Sequence, residues 1–299
     1  MDMDKRLDNE LTSHCSRYAY WFIPQSGSSH TWIVTQPANH ELVGYINDLR
    51  SNEDIPADAL AEFELYKQRP EYMLTQPVKD IESADQATLV HEYNIRLLGA
   101  YLVDLYHQGH TPDVWALCNH WYDNTISWLE STDFYSAPGS SQYHDSEPMG
   151  LLKHTLRVFN HTIGLINYKA FSDVCIADAV IAALCHDWCK IGLYEMYNRN
   201  VKNDQTGKWE QVPSYRRNQR GLPLGHGATS MYIANRTMHI NPDAAIAIRW
   251  HMGHWNVAEN EVDELQLANE TYPIVHLIQF ADQLAITPYA NPPYCVDDK

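Results

Sequence analysis

Apolar residues recur at helical spacing over one long segment in the first half of the chain. Between Asp85 and Gln108 they return every three or four positions, which is typical of a buried helix face, and Gly109 follows as a stop signal. A second helix is predicted to begin at Pro112, a favourable first-turn residue, and to continue through Leu129. We expect both helices to pack on the core formed by the later segments.

Two segments alternate aromatic, β-branched and polar residues and therefore predict strands. Arg17 to Ile23 and Thr31 to Thr35 flank a Gly/Ser-rich turn, which indicates a hairpin. Tyr194 to Tyr215 predicts a second hairpin with its turn at Asn203 to Gly207. The Ser-, Gly- and Pro-rich segment Ser136 to Pro148 predicts a loop, and a role at the site is expected because it leads directly into the next helix.

The helical pattern of the second half carries imidazoles and carboxylates on faces that should be buried. His154 shares an inward stripe with Leu151, Val158 and Leu165, although alone it would be explained as a hydrogen-bonded core histidine. The helix predicted over Asp173 to Cys189 is apolar nearly all round, yet it carries a His-Asp pair near its end. Packing alone does not explain such a pair.

Three further elements add polar groups to the same core. His226 stands between glycines at a predicted helix start, and His251 ends a helix that opens with Asn241-Pro242, a cap followed by a first-turn proline. Asp282 lies on the inward face of a last helix that starts near Pro273. Buried imidazoles and carboxylates are costly without partners, so their convergence predicts a metal site. Imidazole and carboxylate donors without thiolate suit Mn, Fe, Co, Ni or Zn, and Asp187 is placed to bridge two ions.

Composition limits the classes of function. With 299 residues, of which 44% are hydrophobic, the chain is one large domain or one domain with an appendage. Its 21 basic and 38 acidic residues give a net charge of −17, which disfavours duplex DNA and acidic membrane surfaces. The six cysteines form no CxxC pair, and neither a signal peptide nor a long apolar span is visible, so a reduced, cytoplasmic protein is expected. Within this acidic chain, Arg216, Arg217 and Arg220 form a local basic run that is either a phosphate clamp or a solvated loop.

The strings GLLKHT, HDWCK and AIRWHMG resemble the HD superfamily of metal-dependent phosphohydrolases, in the forms of its bacterial and phage members. The upstream string APGSSQYH is similar to the loop that precedes the first histidine in HD-type exoribonucleases and conjugative relaxases. The resemblance covers roughly Ser136 to Pro288. It implies a mainly α fold, in which an HD-type helical bundle over 136–290 follows an N-terminal helical and β-hairpin extension over 1–135 and precedes a tail over 291–299.

The resemblance also implies roles for individual residues and a cofactor of two divalent transition-metal ions. Core ligands are expected at His154, His186, Asp187 and Asp282, and second-metal ligands at His226 and His251. Lys190, with Arg216 or Arg217, is expected to neutralise a phosphate, and His144 to contact substrate. His254 is an alternative ligand or substrate contact, and either His144 or His254 would protonate the leaving group. Met149 and the Trp188-Cys189 pair depart from the common pattern, and Cys185 and Cys189 are expected to be packing residues.

The predicted activity is hydrolysis of a phosphoester in a nucleotide or another small phosphorylated molecule by metal-activated water, with Asp187 orienting the nucleophile. The relaxase-like loop keeps a nuclease acting on single-stranded nucleic acid as an alternative. Two further alternatives are a di-iron oxygenase resembling myo-inositol oxygenase and a non-catalytic module that binds nucleotide and metal.

Overall fold

The computed structural model describes residues 20–25, 30–36, 42–47, 52, 54–107, 124–142, 144–218 and 221–286. This part of the chain is mainly α-helical, with one three-stranded and one two-stranded antiparallel sheet. None of the helices in the described ranges is both long and apolar enough to cross a membrane.

The amino-terminal sheet contains β1 (Trp21–Pro24), β2 (Thr31–Thr35) and β3 (Leu42–Asn47) in that spatial order. The β1–β2 hairpin confirms the prediction for its described residues, whereas residues 17–19 lie outside them. Sequence analysis did not predict β3. The helices α1 (Ala57–Tyr66) and α2 (Pro70–Met73) follow. Aromatic rings from the sheet and these helices pack into a small core, namely Phe22, Trp32, Phe63, Tyr66 and Tyr72.

The larger core is built by long helices around one central helix. These are α3 (Gln86–His107), α4 (Gly150–Leu165), α5 (Ile176–Cys185), α6 (His226–Met238), α7 (Pro242–Trp250), α8 (Val262–Thr271) and α9 (Pro273–Ala285). Every residue of α5 is buried, and α3, α4, α6, α7 and α9 all contact it. Its many alanines let the neighbouring backbones approach closely, so that the residues that follow α5 emerge in the middle of the bundle.

Most predicted elements of this core occur, with shifted ends. The helix α3 confirms the prediction for 85–108, and residues 124–130 are helical, whereas 108–123 lie outside the described residues. The predicted helix over Asp173 to Cys189 is shorter, because α5 ends at Cys185 and a 3-10 turn over Trp188–Lys190 follows. His186 and Asp187 therefore sit between these two elements. Asn241 precedes α7 but its side chain makes no capping hydrogen bond, and its Nδ2 donates to Asp104 and Asp178 instead.

The second hairpin occurs as predicted, with β4 (Tyr194–Lys202) and β5 (Trp209–Arg217) in antiparallel register. Its turn is closed by Gly207 N–H donating to Asn203 O at 2.7 Å. Its base is fastened to the bundle, because Gly192 N–H donates to Asp133 Oδ1 at 2.7 Å and Asn218 N–H donates to Leu193 O at 2.8 Å. The hairpin thus starts immediately after the 3-10 turn that follows His186 and Asp187.

Candidate metal centre

Four helices and the two residues that follow α5 place six imidazoles and carboxylates at the centre of the bundle. The α4 stripe turns His154 inward, the end of α5 supplies His186 and Asp187, and α9 supplies Asp282. His226 is the first residue of α6, and His251 directly follows α7. The order in which the sequence places these residues thus brings them to one location, and buried groups of three among them are arranged so that they could hold a metal ion.

Four donor atoms form what we call the first donor group: His154 Nε2, His186 Nε2, Asp187 Oδ2 and Asp282 Oδ1. His154 Nε2 lies 3.1 Å from Asp282 Oδ1 and 3.3 Å from His186 Nε2. Asp187 Oδ2 lies 3.3 Å from His186 Nε2 and 3.5 Å from His154 Nε2. His186 Nε2 and Asp282 Oδ1 lie 3.9 Å apart. Donor atoms about 2.0–2.2 Å from one transition-metal ion are separated by roughly 3 Å at right angles and by roughly 4 Å on opposite sides, so these spacings are compatible with a common coordination sphere.

The other carboxylate oxygen of Asp187 faces His226 Nε2 and His251 Nε2, and we call these three atoms the second donor group. The metal-capable triads among the described residues join His251 to His186 and Asp187, and His226 to Asp187 and Cys189. His226 Nε2 lies 2.7 Å from Asp187 Oδ1, and His251 Nε2 lies 3.9 Å from the same oxygen. Asp187 is the residue common to both groups, with one oxygen directed to each. This is the arrangement a carboxylate needs to bridge two cations.

Backbone carbonyls fix the tautomers of two of the imidazoles. His186 Nδ1 is 2.8 Å from Ala183 O, and His251 Nδ1 is 2.7 Å from Ile248 O. A carbonyl oxygen can only accept, so each Nδ1 carries the proton and each Nε2 presents a lone pair in the neutral ring. His251 Nε2 is buried and has no hydrogen-bond partner among the described residues. Metal-binding histidines are commonly oriented in this way, so the donors fit a metal ion.

Burial and neighbouring charges shift the pKa values of the groups in the centre. Burial lowers the pKa of His251 to about 3, helped by the His186 and His226 rings, which leaves His251 neutral at physiological pH. Burial opposes ionisation of Asp187, but Lys190 and His186 outweigh it and hold the pKa of this carboxyl well below its usual range. Burial likewise lowers the pKa of His226, yet hydrogen bonds with Asp187 and Cys189 raise it to about 10. A proton on His226 thus balances Asp187, and a bound cation can take over that role.

Lys190 and the loop residue His144 flank the two donor groups. Lys190 Nζ lies 2.7 Å from Asp187 Oδ2. Burial lowers the pKa of the Lys190 ammonium, but the effect of Asp187 is larger and the net pKa is raised. The His144 ring centroid lies 5.8 Å from that of His154, and Ser140 Oγ donates to His144 O at 2.7 Å. Burial and His154 lower the pKa of His144. The predicted approach loop therefore lies beside the first donor group.

Within the described ranges, the other predicted substrate contacts make no ion pair with the donor residues. The Arg216 guanidinium is paired with Glu195 at 2.7 Å and lies over the Tyr197 ring. Arg217 occupies the opposite face of the hairpin, across from Tyr194. His254 is exposed in the 3-10 turn Gly253–Asn256 and belongs to none of the metal-capable groups found among the described residues. Arg220 lies outside those residues.

Sequence analysis missed two residues of the centre. Cys185 is a buried packing residue, but Cys189 Sγ lies 3.4 Å from His226 Nδ1 and belongs to a metal-capable group with Asp187, so packing is not its sole contact. Asp145 Oδ2 lies 3.7 Å from His154 Nδ1, behind the first donor group. Only their proximity in sequence to predicted site residues could have indicated them, because Cys189 follows the His-Asp pair and Asp145 follows His144.

Comparisons with protein-family models, with curated proteins and with solved structures found no match to this chain. Interpretation of the centre therefore depends on its own residues and their geometry.

Proposed function

We propose that the chain is a metal-dependent phosphohydrolase of the HD superfamily, in which the helices around α5 form the HD-type bundle. Its substrate would be a phosphoester of a nucleotide or of another small phosphorylated molecule. The observation that carries this proposal is the position of Asp187, whose two oxygens face separate histidine groups. An arrangement of this kind supports two divalent ions held a few ångströms apart.

The donor groups divide the six residues between two ions of Mn, Fe, Co, Ni or Zn type. The first ion would be held by His154, His186, Asp282 and Asp187, and the second by His226, His251 and Asp187. Such a pair supplies a water of lowered pKa and a Lewis acid for a phosphoryl oxygen. The protein's part is to keep the donors fixed and largely dry, which the burial of His154, His186, Asp187 and His251 supports.

Lys190 is the cation best placed to contact the substrate. It is the last residue of the 3-10 turn that follows His186 and Asp187, and its ammonium forms an ion pair with Asp187. Asp187 would balance bound metal ions in place of Lys190, and the Lys190 ammonium would then be available to a nonbridging phosphate oxygen. Lys190 would then offset the negative charge that develops on the phosphoryl group.

His144 is placed to handle a proton at the entrance of the centre. Its lowered pKa means that the free protein carries a neutral ring at pH 7. An approaching phosphate raises the pKa of a nearby imidazole, because the opposite charge favours the protonated form. Substrate binding would therefore convert His144 into a proton donor for the leaving alkoxide. His254, which is exposed on a separate turn, is the weaker candidate for that role.

The decisive experiment combines a substrate panel with one substitution. Protein loaded with Mn, Co or Fe is incubated with nucleoside phosphates, cyclic dinucleotides and short oligonucleotides, and phosphate or nucleotide release is measured for the wild type and for Asp187→Ala. The proposal predicts hydrolysis of one substrate class and its loss in the variant. Full activity in a folded, metal-loaded Asp187→Ala protein would overturn it. Dioxygen consumption by the iron-loaded protein without phosphate release would indicate the oxygenase alternative. Nucleotide binding without turnover would indicate the non-catalytic module that binds nucleotide and metal.

A further inference from the structure

The β4–β5 hairpin has two faces of different chemistry. Directly opposed residues of an antiparallel pair place their side chains on the same face, and successive residues alternate between faces. In the observed register, Tyr194 opposes Arg217 and Lys202 opposes Trp209, so these four side chains share one face. Both strand carboxylates, Glu195 and Glu210, belong to the other face.

We call the first surface the acid-free face. Besides two asparagines, a glutamine and a proline, it carries Tyr194, Met196, Lys202, Trp209, Tyr215 and Arg217. Met196 is 69% exposed and Trp209 is 71% exposed, although large apolar side chains are usually covered. No carboxylate of the described residues lies within ion-pair distance of Lys202 or Arg217. The face thus presents aromatic rings and two cations in a chain of net charge −17.

The opposite face differs because its two arginines are accompanied by two carboxylates. Arg216 pairs with Glu195 at 2.7 Å and its guanidinium lies over the Tyr197 ring. Arg199 and Glu210 stand on this face as well, and Tyr197, Val201, Val212 and Ser214 are half-buried. Attraction for an anionic ligand is therefore concentrated on the acid-free face.

The acid-free face begins at the candidate metal centre. Tyr194 follows Lys190 by four residues, and the intervening Leu193 donates its N–H to Lys190 O at 3.1 Å, so the strand starts beside the 3-10 turn of the centre. The strand then leads away from the centre to the turn at Asn203–Gly207, a length of roughly 27 Å at about 3.3 Å per residue. A ligand lying on this face would have one end at the donor groups.

The chemistry of the face selects among ligands. Exposed rings stack on unpaired bases, while Lys and Arg contact the phosphates between them. A duplex keeps its bases paired, and its dense phosphate charge would be repelled by the strongly acidic chain. A mononucleotide is too short to reach both Tyr194 and Trp209.

We propose that the acid-free face binds single-stranded nucleic acid and leads one of its phosphodiesters to the metal centre. This inference rests on the proposed phosphohydrolase function and takes a single-stranded oligonucleotide as the substrate in place of a small phosphorylated molecule. Tyr194 and Arg217 hold the nucleotide next to the centre, and Lys202 and Trp209 hold one several nucleotides away.

The test uses matched pairs of substitutions on the two faces. Lys202→Ala with Trp209→Ala removes one cation and one apolar side chain from the acid-free face. Arg199→Ala with Val212→Ala, a directly opposed pair on the other face, removes the same kinds of group as a control. Binding of fluorescein-labelled, phosphorothioate-linked thymidylate of eight and of two nucleotides to the full-length, metal-loaded chain is measured by fluorescence anisotropy.

The wild type is expected to bind the eight-nucleotide probe about tenfold more tightly than the two-nucleotide probe, since each stacked base contributes on the order of 1–3 kcal/mol. The acid-free-face variant should lose about tenfold in affinity for the longer probe, and the control less than about twofold. Equal binding by wild type and acid-free-face variant, or equal losses in both variants, would overturn the inference. The inference would also be overturned if the acid-free-face variant changed only the oligomeric state measured by light scattering, because the face would then join copies of the chain.

Failure of this inference and failure of the proposed function give different results. Hydrolysis of mononucleotides without face-dependent binding of the longer probe overturns the inference and leaves the phosphohydrolase intact. If the metal-loaded protein binds the longer probe through the acid-free face but hydrolyses no phosphoester, the phosphohydrolase proposal is overturned and the binding face is retained.

Discussion

His154 and Asp145 face each other behind the first donor group, with His154 Nδ1 and Asp145 Oδ2 separated by 3.7 Å. Both side chains are buried, and neither atom has a hydrogen-bond partner within the described ranges. Asp145 is itself held in place, because its other oxygen accepts from Arg157 Nη2 and its backbone carbonyl accepts from Gly139 N–H at 2.7 Å. A small closure of the gap would let His154 donate from Nδ1 and direct Nε2 to a metal ion.

Asp145→Asn should therefore weaken metal binding. Loss of a carboxylate behind a metal-binding histidine typically costs about 10- to 100-fold in affinity. Competition with a chromophoric chelator for Co2+ or Zn2+ measures the change. Glu82→Gln is the control, because Glu82 also pairs with Arg157, at 2.6 Å, but is exposed and makes no ion pair with His154. Equal losses in both variants would show that Arg157 packing, and not Asp145, is responsible.

Lys190→Gln is predicted to slow hydrolysis without removing metal. A hydrogen bond to a charged group contributes roughly 1.5–3 kcal/mol, so kcat should fall about 10- to 100-fold. The ion content of the purified variant should equal that of the wild type, because Lys190 offers no lone pair while it is protonated. Lys153→Gln, which removes a largely covered ammonium 3.8 Å from Glu82, should leave kcat unchanged. Unaltered turnover in Lys190→Gln, or loss of metal with turnover, would refute this role.

Gly227 allows α6 and α7 to approach each other, and Gly227→Ala tests that contact. An added Cβ would lie 2.0 Å from Arg249 O, so the two helices that position His226 and His251 would have to separate. Overpacking of this kind costs about 1–3 kcal/mol, despite the better helix propensity of alanine. Urea unfolding gives the loss in stability. Gly221→Ala meets only Leu193 Cδ1 at 3.5 Å and should unfold like the wild type; similar curves for both variants would contradict the close approach.

Asp178 predicts a pH-dependent stability that is separate from the metal centre. Burial raises its pKa to about 6, with Asp104 adding to the shift and a hydrogen bond from Asn241 opposing it. The raised folded-state pKa favours the protonated form, so stability is fully present below about pH 4 and is lost as pH rises through about 6. The penalty at pH 7.5 is on the order of 3 kcal/mol.

Asp178→Asn should therefore exceed the wild type in stability by about 3 kcal/mol at pH 7.5 and by only about 1 kcal/mol at pH 4.5. Thermal unfolding at both pH values measures the difference between the two proteins. A gain of the same size at both values would mean that the carboxyl does not titrate in this range.

Local patterns predicted the helices and the donors because each signal lies within one element. Helical spacing turned His154 toward the core, and the apolar surroundings of α5 made His186 and Asp187 conspicuous. The hairpin at Tyr194–Arg217 followed from alternation and its turn residues. The separation of His226 and His251 onto one side of Asp187 was implied only by the family resemblance.

Contacts between distant segments were not predictable in the same way. Asp145 reaches His154 because residue 145 adopts a left-handed backbone conformation with a φ of 57° and because Arg157 tethers it, and neither feature leaves a periodic signal. The strand β3 has five half-buried or exposed residues among its six, so its alternation is weak. The two faces of the hairpin could be assigned only once the register was known.

The central claim is that Asp187 joins two metal ions, and counting bound ions tests it most directly. Equilibrium dialysis of the folded wild type against Mn, Co or Fe, followed by elemental analysis, should give about two ions per chain. His226→Ala should retain about one, and Asp187→Ala should lose most of both, with folding checked by circular dichroism. A folded wild type that binds no ion, or an Asp187→Ala protein that keeps the full complement, would contradict the account.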